Sequence, residues 1–256
     1  MLALRFFLAP FLVALASLAS RRFGERIGGW LSAFPFVAGP ILLVLCLEQG
    51  TTFGAVSARS AVVGIISLAA FALAYAHLAR GLPWWLALPV AWGAYLLASW
   101  LFLDLGPSLA LRLALAATSL FLGWRLLPGG LEASDGKPPL PWQLDLPLRM
   151  AAAALLVASV AAMAQRMGPT WTGLLTPFPV ATTVLVTFAH AQSGPAGVAR
   201  LLKGFFPGLL GLALFFAVLA GSLVPMGTGR AFLFGLLTTA AIQTALLPLL
   251  LRARRD

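Results

Sequence analysis

Charge is what this chain has least of. Only 9% of its 256 residues are Asp, Glu, Lys or Arg, 61% are hydrophobic, and mean hydropathy is +0.98. A soluble domain averages about 25% charged and about 45–50% apolar residues. So little charge cannot cover a water-soluble globule, so lipid must be the solvent for most of the surface. Carboxylates are scarcer still, seven in all. Six of them (Glu25, Asp104, Glu132, Asp135, Asp145 and Asp256) read as loop or tail residues, which leaves Glu48 at the end of an apolar run. Ionisable groups inside a membrane are costly and mark function. A proton-coupled antiport mechanism, which usually carries a carboxylate in mid-span, would have only Glu48 to use.

Cysteine and histidine are nearly missing too. The single Cys46 rules out an internal disulfide and a thiolate metal cluster. Two histidines give no pair at zinc spacing, and there is no nucleophile elbow, phosphate loop or aspartate pair for magnesium diphosphate. With almost no intramembrane acid there is little material for acid–base chemistry. No enzyme activity, cofactor or metal is expected. The net charge of +10 does not point to nucleic acid, because its bases stand singly between apolar stretches. That is the pattern of a membrane protein with positive cytoplasmic loops.

Long apolar runs are what the chain has in abundance. A spanning helix needs about 20 mostly apolar residues. Nine runs qualify, at 2–20, 30–47, 58–79, 83–103, 108–127, 149–165, 171–190, 204–224 and 230–251. Turn residues or charges separate them, and one long polar connection, Pro128 to Pro147, reads as an exposed linker. Asp104 lies in a tight turn and is expected to cap the fifth span. Trp84, Trp85, Trp100, Trp124, Trp142 and Trp171 fall near span ends, as an aromatic belt would. Gly24-x-x-x-Gly28 and Gly204-x-x-x-Gly208 have helix-packing spacing.

The sequence also repeats. Shifted by 144 residues, it matches itself without a gap: Arg5 with Arg149, Arg22 and Gly24 with Arg166 and Gly168, Gly29, Leu31, Phe34 and Pro35 with Gly173, Leu175, Phe178 and Pro179, and Gly50 and Gly64 with Gly194 and Gly208. Glu48 meets Gln192, and Arg59 meets Lys203. Apolar matches arise by chance in such a chain, but shared Gly, Pro and Arg in one register rarely do. The first span resembles a signal peptide, with Arg5, an apolar stretch and small residues at 16–20. Its internal counterpart cannot be one, so it is expected to be retained.

Each repeat holds four spans, and the fifth has no counterpart. One extra crossing turns the second copy over, a common transporter design. The expected fold is therefore an all-α integral membrane protein of about nine transmembrane helices in a 4+1+4 inverted-repeat architecture. Residues 1–105 form the first repeat, 106–127 the inverting helix, 128–147 a cytoplasmic loop and 148–256 the second repeat. With the first connection inside, 12 bases fall on the inner side and 5 on the outer. That bias places the N-terminus outside and the C-terminus inside a bacterial inner membrane, against the pull of Arg5 alone.

The second and seventh spans carry prolines at matched places, Pro35 and Pro179. A proline inside a helix removes a hydrogen bond and clashes with the preceding turn, and in lipid the freed carbonyls need other partners. Broken helices at equivalent places in two repeats point to a transport site. Ser32, Thr176, Thr182, Thr183 and Thr187 would offer hydroxyls there, with Phe34 and Phe178 as walls. The competing reading makes these prolines packing kinks and bonds the hydroxyls to their own helix. Glu48 with Arg59, and Gln192 with Lys203, would form a polar gate at each mouth, with His190 beside the second. The alternative leaves all of them solvated at the interface, snorkelling.

The stretch from Arg22 to Arg59 resembles the GlpM family of small bacterial inner-membrane proteins. Gly29, Leu31, Phe34, Pro35, Gly50 and Arg59 fit that family's outline, and Gly173, Leu175, Phe178, Pro179 and Gly194 fit it again, with Lys203 in place of the arginine. The resemblance implies about four helices per unit and an envelope role linked to alginate production. It offers no catalytic residue, and the fusion of two units departs from it. Together these observations lead to a transporter or flippase-like protein moving an unknown small-molecule or lipid-linked substrate. The alternative is a non-transporting accessory protein among envelope-biosynthesis partners.

Overall fold

The computed structural model describes residues 2–36, 38–106, 108–129, 141–164 and 178–252. All regular structure among them is helical: α1 (Leu2–Phe23), α2 (Glu25–Ser32), α3 (Ala38–Leu78), α4 (Trp84–Leu101), α5 (Leu109–Arg125), α6 (Trp142–Ala164), α7 (Val180–Met226) and α8 (Thr228–Arg252). A helix satisfies its backbone groups within one segment, which is why lipid selects it. Among the described residues four helices are long and apolar enough to cross a membrane, within α3, α4, α7 and α8. The chain is an all-helical membrane protein.

Two of those four are too long for one crossing. α3 has 41 residues and α7 has 47, which would run about 60 and 70 Å if straight, twice a hydrocarbon core of about 30 Å. Neither is straight. The face of Gly54 lies against Cys46 Sγ, and a Cβ at Gly197 would come 3.2 Å from the Ala189 carbonyl. Residues eight apart in a continuous helix stand about 12 Å apart, so each helix doubles back. The turns are at Gly50 (φ 87°, ψ 167°) and Gly194 (φ 62°, ψ −160°). Gly24 (φ 93°, ψ 158°) reverses the chain between α1 and α2, and Gly227 (φ 76°, ψ 167°) separates α7 from α8. All four sit in a backbone region that is essentially glycine's own.

Architectural landmarks recur at the 144-residue offset. Gly50 and Gly194 are the reversals, and Trp84 and Thr228 open α4 and α8. α1 packs on α6, and α3 packs on α7. Both pairs run antiparallel: Arg21 near the end of α1 meets Asp145 near the start of α6, and Gly54 faces Leu223. α5 sits against α3 and α7.

Inside a membrane apolar surface gains nothing by hiding from lipid, so helices associate through close packing and small residues. α2 lies directly on the second arm of α7. The Gly29 face meets the Leu201 carbonyl, the Gly204 face meets the Arg26 carbonyl, and Gly208 packs on Ala33 and Trp30. The interior is filled by Phe71, Tyr75, Tyr95, Phe205, Phe206, Phe215 and Phe216, all fully buried. Large apolar side chains also point outward, among them Leu155 (70% exposed) and Trp100 (63%), with Trp84, Trp85, Trp124 and Trp142 exposed at helix ends.

Three expectations need correcting. The Pro128–Pro147 segment is not loop throughout, because α6 begins at Trp142 and takes Asp145 into its first turn. Asp104 does not cap α5; Ser108 does, its Oγ accepting from the Leu111 N–H at 3.3 Å. Gly24 is a turn residue, not a helix-packing one.

Candidate functional site

The two proline breaks meet. α2 stops at Ser32, the chain runs irregularly through Ala33 to Phe36, and α3 starts at Ala38 with the Gly39 N–H bonded to the Pro35 carbonyl at 2.7 Å. Pro179 stands just before the first turn of α7. Proline has no N–H to give and fixes its own φ, so each stands just ahead of the regular helix that follows it. Between them lies a partly open cavity of about 40 Å³, or about 400 Å³ counting its open mouth. Its walls include Ser32, Phe34, Phe178, Pro179, Thr182 and Phe205, and no charged residue among the described residues.

Of the expected pathway residues, Ser32, Phe34, Phe178 and Pro179 line this cavity. Pro35 is buried beside it, its Cβ 3.8 Å from where Gly39 would carry one. Thr183 is buried and accepts a hydrogen bond from Trp92 Nε1 at 3.1 Å. Phe178 is held by Tyr95 and Trp92, with ring centroids 5.2 and 6.0 Å away. Ser32 Oγ donates to the Gly29 carbonyl at 2.7 Å, within its own helix. Thr176 lies outside the described residues.

The residues read as gates have different neighbours from those expected. Gln192 does not turn to Lys203. Its Nε2 donates to Asp145 Oδ1 at 2.6 Å, and its Oε1 accepts from Arg149 Nη2 at 3.4 Å. Asp145 is fully buried and takes two further charge-assisted bonds on Oδ2, from Arg21 Nη2 at 2.7 Å and Arg149 Nε at 2.9 Å. Arg149 also lies over the Phe188 ring at 4.6 Å. One carboxylate thus ties α1, α6 and the first arm of α7 together at one end of the bundle. Next to it, Arg200 Nε pairs with Glu25 Oε2 at 2.7 Å. His190 Nδ1 is hydrogen-bonded to the Tyr75 hydroxyl at 3.2 Å, and Lys203 is half-buried one residue before Gly204.

At the opposite end of the bundle Glu48 is exposed just before the Gly50 turn. Arg59 is half-buried on the second arm of α3, with no hydrogen-bond partner for its Nε among the described residues. Arg112, at the start of α5, donates to the carbonyls of Gly106 (3.2 Å), Arg59 (3.1 Å) and Leu105 (2.5 Å). It therefore closes the α4–α5 loop onto α3.

The sequence placed Asp145 in a loop and did not pair it with Arg149, although their i, i+4 spacing is that of a helical ion pair. Comparison of the chain with family models, curated proteins and solved structures gives no match. The resemblance to GlpM proteins therefore rests on the residues quoted for it.

Proposed function

We propose that the chain is a transporter or flippase-like protein of the bacterial inner membrane, whose path runs between the second and seventh spans. The observation that carries this is the cavity shared by the two proline breaks, 144 residues apart in sequence and adjacent in space. Counting each arm of α3 and α7 separately, and adding α1, α4, α5, α6 and α8, supports nine crossings. The antiparallel pairing of α1 with α6 supports an inverted relation between two GlpM-like units. The N-terminus would then be outside and the C-terminus inside.

Cysteine accessibility tests the path. With Cys46 replaced by Ala, single cysteines are placed along 31–48 and 178–192 and labelled from either side with a membrane-impermeant thiol reagent. Labelling with helical periodicity up to Pro35 and Pro179 is the expected result. Labelling confined to the ends near Glu48 and Gln192 would overturn it. The Ser32 bond to its own helix is the observation that favours the second reading, a non-transporting accessory protein for envelope polysaccharide assembly, in which the breaks serve packing alone.

A further inference from the structure

The cavity has walls but no charge, whereas the end of the same seam has charge to spare. Around the inner ends of α1, α2, α6 and α7 lie Arg21, Arg26, Arg149, Arg200 and Lys203, against two carboxylates, Glu25 and Asp145. Asp145 is engaged by Arg21 and Arg149, and Glu25 by Arg200. Among the described residues, Arg26 and Lys203 have no carboxylate within ion-pair distance. Among the described residues two buried donors on α2 also have no acceptor: Arg26 Nη1 and Trp30 Nε1.

These two donors are one helical turn apart and so share a face of α2. The row continues in the same direction. Trp30 meets Phe34 edge-on with centroids 5.1 Å apart, Phe34 stacks on Phe36 at 5.0 Å, and Phe34 lines the cavity. Along one strip of the α2–α7 seam there is thus a guanidinium, an indole N–H, a pair of aromatic rings and an apolar opening. Arg26 and Ser32 are about 9 Å apart along the axis. A buried donor without an acceptor is costly, and costlier still when charged. An anion supplies what both lack, and an arginine matches the oxygens of a phosphate.

We infer that this seam binds a single-chain lipid phosphate, with its anionic head at Arg26 and Trp30 and its chain in the cavity beside Phe34, Phe178 and Phe205. The inference deepens the transport reading and rests on it for the role of the cavity as a path. It names the substrate class as a phosphorylated amphiphile. A free ion has nothing to hold in a cavity without charge, and a neutral lipid leaves both donors unpaired.

The test uses the full chain in phosphatidylcholine nanodiscs, with dodecyl phosphate, dodecanol and inorganic phosphate as probes and thermal stability as readout. Dodecyl phosphate should stabilise saturably, with an affinity about tenfold or more above that of dodecanol, the gain of one charge-assisted hydrogen bond. Inorganic phosphate alone should give no shift. Arg26→Gln should erase the preference for the phosphate head and Arg26→Lys should restore much of it. Arg22→Gln, at an exposed base over Phe23, should leave it intact. Leu209→Trp, which fills the cavity, should weaken both chain-bearing probes. Equal affinity for dodecanol, an undiminished preference in Arg26→Gln, or full competition by inorganic phosphate would overturn the assignment. A water-accessible path by cysteine labelling without head preference leaves the path standing and sinks the lipid phosphate. Head preference without labelling does the reverse.

Discussion

Asp145 holds three partners while being cut off from solvent, so its value to the fold is large and conditional. Removing one member of a buried ion pair typically costs about 3–5 kcal/mol, because the other charge is left stranded, whereas replacing both with apolar groups is often neutral. Asp145→Ala is therefore expected to destabilise the protein by about 3–5 kcal/mol. Asp145→Ala combined with Arg149→Met should recover most of that loss. Denaturant titration in detergent checks both, and a double variant no more stable than the single one would mean that Arg21 carries the network. Arg21 is more than a third exposed and is expected to matter less. The sequence concealed this site because Pro141 and Pro147 flank Asp145 and made a helix start look like a polar loop. Glycines behave in the opposite way. Gly50→Ala puts a Cβ into backbone space reserved for glycine and should cost about 1–3 kcal/mol, while Gly81→Ala faces open space and should change little. The turns were legible as boundaries, but nothing in the residue type told a helix reversal from an ordinary loop.

At the scale of elements, the seam of α2 with α7 is the contact most sensitive to side-chain size. A Cβ at Gly29 or Gly204 would overlap the backbone of the facing helix, at Leu201 and Arg26 respectively. Gly29→Leu and Gly204→Leu are therefore expected to separate the helices, with a loss of at least about 1–3 kcal/mol and lower yield of folded protein by size exclusion. Gly93→Leu, on α4 with nothing near it, is the matched control. Part of this seam was legible. Gly204 and Gly208 have the spacing that lets backbones approach, and both face α2. On α2 the neighbouring glycines divide: Gly28 faces Ser20 and Ala16 on α1, and Gly29 faces α7. A spacing rule finds a small-residue face, but two adjacent glycines serve two different neighbours, and only packing decides which. The proline breaks needed no packing to be found, since the missing N–H acts on its own helix.

Across the whole molecule the repeat makes a demand that no single element does. At one end of the bundle Arg149 and Gln192 close around Asp145, which the proposed orientation makes the inner mouth. The 144-residue offset puts Arg5 and Glu48 at the positions of Arg149 and Gln192. At the matched position the first repeat carries a carboxylate, Glu48, and the second a glutamine, Gln192, with an acid, Asp145, one turn before Arg149. By the repeat, Arg5 and Glu48 would form an arginine–carboxylate pair from exchanged positions to match Arg149 and Asp145, an arrangement that the proposed path would use for two alternately closing gates. Cysteine pairs at 5 and 48, and at 149 and 192, each in the Cys46→Ala background, are expected to cross-link. With a cysteine of the cavity wall as reporter, cross-linking the inner pair should abolish labelling from inside and leave labelling from outside. Cross-linking the outer pair should do the opposite. Reporter labelling indifferent to both cross-links would mean that the mouths do not gate the cavity, and the accessory reading would then account better for a symmetric but static frame.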